Sequence, residues 1–203
     1  MSLLWSEAEI EMFDIEKQKE RFKDHVATFT DYGNIKVLDF QKPDRMEYRI
    51  RFIFEEDWYK LHISGDLGEL TATNYHNMTW EEFDDFVDDP GYFESKVDAN
   101  SRHIYLYDYD KAEAELKERF KDFDFSTYFS WGTSEENLEE AIEGILSDFD
   151  DIIGIGSKGY DALHEYDPDC WEYASDLGKY NTGILELYLL AFKLAKEQLE
   201  KKE

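Results

Sequence analysis

The chain has 203 residues, 49 of them acidic and 22 Lys or Arg, for a formal net charge of −27. With 42% hydrophobic and 17% aromatic residues it is too apolar for an intrinsically disordered polymer, and no run approaches the ~18 apolar residues of a membrane helix. The single cysteine, Cys170, excludes an intrachain disulfide. The opening MSLLWSEAEIEMF lacks the basic and continuous apolar regions of a secretory signal, so a cytoplasmic setting is expected.

Trp5, Ala8, Met12, Ile15, Phe22, Val26 and Phe29 recur at steps of three, four or seven, which predicts a long N-terminal helix broken only by Lys19. Asp31-Tyr32-Gly33-Asn34 is its stop signal. Four strands are expected next, over 35–41, 45–54, 58–64 and 69–75. The second alternates cleanly, with Met46, Tyr48, Ile50, Phe52 and Phe54 on one face and Glu47, Arg49, Arg51 and Ile53 on the other. The third sets Tyr59, Leu61 and Ile63 against Lys60, His62 and Ser64. Short turns at Pro43-Asp44, Glu55-Glu56-Asp57 and Gly65-Asp66-Leu67-Gly68 make the neighbours antiparallel.

Three S/T/D-x-x-E patterns, Thr79/Glu82, Asp110/Glu113 and Thr133/Glu136, predict capped helices in the acidic middle, the last running to about Phe149. Residues 102–107 are a candidate fifth strand, and 150–178 have no clear period. The segment 184–195, ILELYLLAFKLA, has only Glu186 and Lys193 as polar breaks and predicts a helix buried on several sides. The expectation is one α+β domain over 1–203. It has an antiparallel meander of four or five strands, packed by a long N-terminal helix and a buried C-terminal helix, with the acidic helical middle, 76–178, on the same core.

The charge is uneven. Residues 1–54 hold 11 acids and 9 bases, 55–178 hold 34 and 8, and 179–203 hold 4 and 5. An acidic field of this kind repels nucleic acid and anionic lipid and attracts basic proteins; it also serves plain solubility. Glu81, Asp84, Asp85 and Asp88 form one exposed row, opposite Trp80, Phe83 and Val87. Glu136, Glu139, Glu140 and Glu143 form another. Carboxylates at i, i+3 and i+4 lie about 5–6 Å apart at Cβ, of the order of neighbouring phosphates, so such rows can imitate a nucleic-acid strand to a basic groove. A solvated helix face gives the same pattern.

Against this field, Arg49, Arg51, Lys60 and His62 share the polar face of the second and third strands. They make an alternative anion site, for a small ligand or an enzyme, or else an ordinary solvent face with cross-strand pairs. Gly154-Ile155-Gly156-Ser157-Lys158-Gly159 matches G-x-G-x-x-G, but it follows a predicted helix rather than a strand and reads as a flexible loop. The aspartate pairs lack an EF-hand continuation, the five histidines lack ligand spacing, and no cofactor or metal site is expected. Cys170 and His164 are six apart in an undefined segment, where a structural cysteine is the commoner reading.

Leu61-His62-Ile63-Ser64-Gly65-Asp66-Leu67-Gly68, Gly91-Tyr92-Phe93-Glu94-Ser95-Lys96 and Tyr188-Leu189-Leu190-Ala191-Phe192-Lys193-Leu194-Ala195 resemble segments of uncharacterised proteins encoded by phages and prophages of Gram-positive bacteria. The resemblance implies an accessory role, often the blocking of host factors, and carries no catalytic residues. Two function classes follow. The first is a non-enzymatic binding protein whose acidic face engages a basic, nucleic-acid-binding protein, with no direct nucleic acid and no membrane. The second is a small ligand-binding protein or enzyme using the Arg49, Arg51 and His62 face.

Overall fold

The computed structural model describes residues 14–129 and 132–201. These form two compact units where one core was expected: one of residues 14–102 with 183–201, and one of the described residues of 103–182. The expected acidic middle is divided between them, since 76–102 belong to the first unit and 103–178 to the second, which has a core of its own.

The first unit is a six-stranded antiparallel sheet in sequence order: β1 (Val26–Asp31), β2 (Ile35–Gln41), β3 (Ile50–Glu55), β4 (Lys60–Gly65), β5 (Leu70–Thr73) and β6 (Val97–Asn100). The register places Phe29, Leu38, Phe52, Ile63 and Leu70 in one row across the sheet, and Phe40 beside Ile50 in the next. All of these but the half-buried Phe29 are buried. Against β1 and β2 lies the C-terminal helix α7 (Ile184–Glu200), which also packs on two short helices, α2 (Asp84–Val87) and α3 (Pro90–Glu94). As its composition predicts, α7 is buried on several sides, with Leu185, Tyr188, Leu189 and Phe192 all at 2% exposure or less.

The N-terminal helix is shorter than its apolar stripe. α1 covers Ile15–Phe22, and Val26–Asp31, expected to continue it, is a strand. Trp5, Ala8 and Met12 lie outside the described residues. Val26 and Phe29 fit a helical step of three, but Ala27 and Phe29 equally fit a strand step of two. Six registered pairs with β2 decide the matter, aided by the β-branched Val26, Thr28 and Thr30. The second predicted strand starts five residues late, at Ile50. Met46 is 66% exposed and Tyr48 adopts φ +58, so the alternation of 45–49 belongs to a loop. No capping box forms at Thr79; the Glu56 carboxylate accepts the Trp80 N–H instead, at 2.9 Å.

His25 ties the 42–49 loop to this core. Its ring is buried between Phe22 and Phe40, and Nε2 donates to the Tyr48 carbonyl at 3.0 Å, a role that leaves Nδ1 unprotonated. Nδ1 is buried and has no hydrogen-bond partner among the described residues. Burial, joined by the nearby Lys42, holds the imidazole below its ordinary pKa despite Asp24 and the Tyr48 bond. The unfolded chain therefore takes up a proton near pH 6.5 that the folded chain resists. This contribution to stability should be complete above about pH 6.5 and decline as the pH falls toward the lower folded value. Urea midpoints at pH 7.5 and 5.5 check this: His25→Phe should flatten the slope, and an unchanged slope would show that His25 does not cause it.

The second unit holds α4 (Tyr109–Phe120), α5 (Ser134–Ile145), α6 (Ser157–Tyr166) and a two-stranded ribbon of β7 (Tyr105–Tyr107) and β8 (Lys179–Asn181). The candidate fifth strand thus pairs with β8, not with the meander. Leu116, Phe120, Phe125, Ile142, Ile145 and Leu163 are among its buried core. α4 is capped by Asp108, which accepts from the Lys111 N–H, and not by Asp110. The Thr133/Glu136 capping box forms in full, although α5 stops at Ile145, short of Phe149.

Candidate protein-binding surfaces

The first acidic row is exposed but largely neutralised. Glu81 bonds to Lys36, which also lies 3.5 Å from Glu56. Asp84 pairs with Lys196, and Asp88 with Lys193 at 3.1 Å. Asp85 accepts from Asn77 at 3.3 Å. The lysine bond holds the Glu81 carboxyl below its ordinary range. The two α7 lysines are three residues apart and so share a face beside α2. Exposed pairs of this kind add little stability, but they cancel most of the field this row would present to a partner.

The second row differs. Glu136 is committed to the capping box, where the Thr133 N–H holds its carboxyl low. Glu139, Glu140 and Glu143 are exposed on α5, with Ala141, Ile142 and Ile145 turned inward. Among the described residues none of these three forms an ion pair, although Glu139 lies close enough to Lys117 to favour its charge. The surrounding unit, 103–182, holds 21 acidic against 6 basic residues.

Glu140 and Glu143 also line an open groove of about 430 Å3 with Phe129, Gly144, Ser147 and Tyr166. Gly144 adds no side chain to its lining. Tyr166 packs edge-on against Tyr128 and Phe125, with centroids at 5.0 and 5.3 Å. Burial, then the neighbouring Glu165 and Glu140, push its phenol above the ordinary value. Carboxylates beside aromatic faces suit a Lys or Arg side chain. Phe129 and Tyr166 escape a reading of the sequence because they lie 37 residues apart in chain segments with no clear period.

The polar sheet face is only partly assembled. Arg51, Lys60 and His62 project from β3 and β4, whereas Arg49 precedes β3 in the loop. Each has a carboxylate nearby. Asp39 grips Arg51 through two bonds of 2.6 and 3.0 Å, Asp66 lies 3.4 Å from Arg49, Glu55 lies 3.1 Å from His62, and Lys60 stands opposite Glu55 in the register. This is the cross-strand pairing of a solvent face, not an accumulation of free positive charge.

The glycine-rich segment is not a free loop. It opens α6, and the Asp148 carboxylate takes the N–H groups of Gly156, Lys158 and Gly159 at 3.2, 3.0 and 2.9 Å. The place a phosphate would occupy at this helix start is filled by the chain's own anion. Cys170 is fully buried, which raises its thiol pKa, while His164 is exposed on α6. A second open groove, about 770 Å3, has Lys111, Glu115, Arg119 and Tyr173 on its walls. The Arg119 guanidinium stacks 3.5 Å above the Tyr173 ring. Among the described residues no group of three His, Cys, Asp or Glu side chains is arranged to hold a metal, and no helix is long and apolar enough to cross a membrane. No protein-family model, curated protein or solved structure matches the chain.

Proposed function

We propose that this chain is a non-enzymatic accessory protein of phage type that acts in the cytoplasm by binding a basic protein. In the sharpest form of this reading, the partner is a host nucleic-acid-binding protein whose basic groove accepts the carboxylates of α5 in place of phosphates. The observation that carries the reading is that Glu139, Glu140 and Glu143 form no ion pair among the described residues, whereas three of the four carboxylates of the first row, Glu81, Asp84 and Asp88, do. Helical spacing supplies the periodicity a phosphate-reading groove requires.

Protamine, a basic nucleic-acid-binding protein, is a suitable probe. It should bind at low salt and be displaced as the ionic strength rises, because exposed charges are screened over about 8–10 Å near physiological salt. Glu139→Lys, Glu140→Lys and Glu143→Lys together should weaken binding at least about tenfold, roughly 1.4 kcal/mol. Reversal of Asp84, Asp85 and Asp88 should weaken it less. Binding indifferent to both salt and the α5 substitutions would reduce the acidic face to a solubility device.

A further inference from the structure

Successive strands of the first unit return to one end of the sheet, and the three connections there carry aromatic side chains facing water. Asp31-Tyr32-Gly33-Asn34 joins β1 to β2, Glu56-Asp57-Trp58-Tyr59 joins β3 to β4, and Asn74-Tyr75-His76-Asn77 follows β5. Tyr32 is 71% exposed, Trp58 72% and Tyr75 93%. An exposed aromatic here or there is ordinary. Here three stand on connections joined to one another by backbone hydrogen bonds, in a chain where none of the described phenylalanines is exposed.

The connections are held together. The Glu56 N–H donates to the Asn34 carbonyl at 2.8 Å and the Asn74 N–H to the Tyr59 carbonyl at 3.1 Å. Asn34 also donates to Asp57 at 3.3 Å. Gly33 takes φ +81 while its N–H reaches Asp31 at 2.7 Å, and Tyr59 takes φ +48, a conformation costly for a tyrosine. The backbone beneath the aromatic side chains is therefore already ordered, which reduces the entropy lost on binding. Tyr and Trp beside Asn, Gly and Asp is also the chemistry of protein-binding loops: rigid aromatic anchors among adaptable polar groups.

Charge indicates the occupant. These three connections contain Asp31, Glu56 and Asp57 and no Lys or Arg. The cations that border them face carboxylates of the chain itself: Lys36 is engaged by Glu56 and Glu81, Arg51, close to the Tyr32 phenol, by Asp39, and Lys60, which follows Tyr59, stands opposite Glu55. We propose that this end of the sheet docks an arginine-bearing segment of a basic protein, with guanidinium groups seated on Trp58, Tyr32 and Tyr75 and bonded to the flanking carboxylates. The proposal shares with the preceding reading the premise of a basic partner, but none of its residues.

The test titrates the full chain with fluorescent octa-arginine and octa-lysine, and with the neutral oligosaccharide chitotriose. Octa-arginine should remain bound at about 0.5 M salt, where screening releases octa-lysine. Tyr32→Ser, Trp58→Ser and Tyr75→Ser combined should reduce that retained binding at least about tenfold. Circular dichroism verifies the fold, which such exposed positions should leave intact. If the triple serine variant binds octa-arginine like the native chain, the docking surface is refuted and the α5 reading is untouched. If the α5 charge reversals leave both peptides bound while the serine variant releases octa-arginine, the α5 reading fails and the docking surface stands. Binding of chitotriose that the serine substitutions abolish would make this end a glycan platform and overturn the proposal.

Discussion

A Phe192→Ala chain should unfold at a clearly lower denaturant concentration than the native one, with a loss of about 3–5 kcal/mol. Phe192 is fully buried at the centre of an aromatic cluster. Its ring lies 4.7 Å from Phe83, 5.6 Å from Trp80, 5.7 Å from Phe52 and 6.1 Å from Phe54, edge-on to each. The cluster thus joins β3, α7 and the segment leading into α2. The cavity left by alanine would be walled by large rings that cannot collapse into it without leaving their own contacts, which places the cost in the upper range for core truncation. Lys193→Ala, one residue on, removes an exposed pair with Asp88 and should stay within about 0.5 kcal/mol. Chemical denaturation of the two variants checks both values. Equal, small losses would show α7 to be peripheral.

The parts of this fold legible in the sequence were those where pattern and burial coincide. Residues 184–195 announce a buried helix because almost no position is polar, and α7 is that helix. Strands β2 to β5 are anticipated because short turns separate their segments, with clean alternation in the two that become β3 and β4. Where two periods fit the same residues, the sequence alone does not choose. Ala27 and Phe29 satisfy both a helix and a strand, and only the partner β2 decides between them. β6 carries just Val97 and Ala99 as apolar residues in an exposed edge strand, so it lacks a pattern to detect. Helix α6 is hidden by three glycines, whose reason lies in neighbours remote in sequence. For the candidate surfaces, both acidic rows were visible, but their difference was not. Lys193 and Lys196 neutralise Asp88 and Asp84 across more than a hundred residues, a relation no local spacing encodes.

Gly159→Ala should destabilise the 103–182 unit, while the same substitution at Gly144, fifteen residues earlier in the neighbouring helix, should stabilise it. A Cβ on Gly159 would stand 2.1 Å from the Ile145 carbonyl oxygen and 2.9 Å from the Asp148 carboxylate. The first obstacle is backbone at the end of α5, so α6 must move as a body. That movement would draw the N–H groups of Gly156, Lys158 and Gly159 away from Asp148, which holds them with its charge. Burial opposes ionisation of this carboxyl, but the three donors together outweigh it and keep its pKa below the ordinary range. The same shift would unseat Leu163, fully buried on α6. Overpacking of this kind costs about 1–3 kcal/mol, and contact with backbone rather than a mobile side chain places it toward the upper end. Gly144 has open space where its Cβ would go and a helical backbone, so alanine there should gain about 0.5–1 kcal/mol by restricting the unfolded chain. Urea unfolding of the two single variants gives the signs directly. A Gly159→Ala chain as stable as the native one would mean that α6 does not cross α5 at this glycine, and that Asp148 is not what fixes the start of α6.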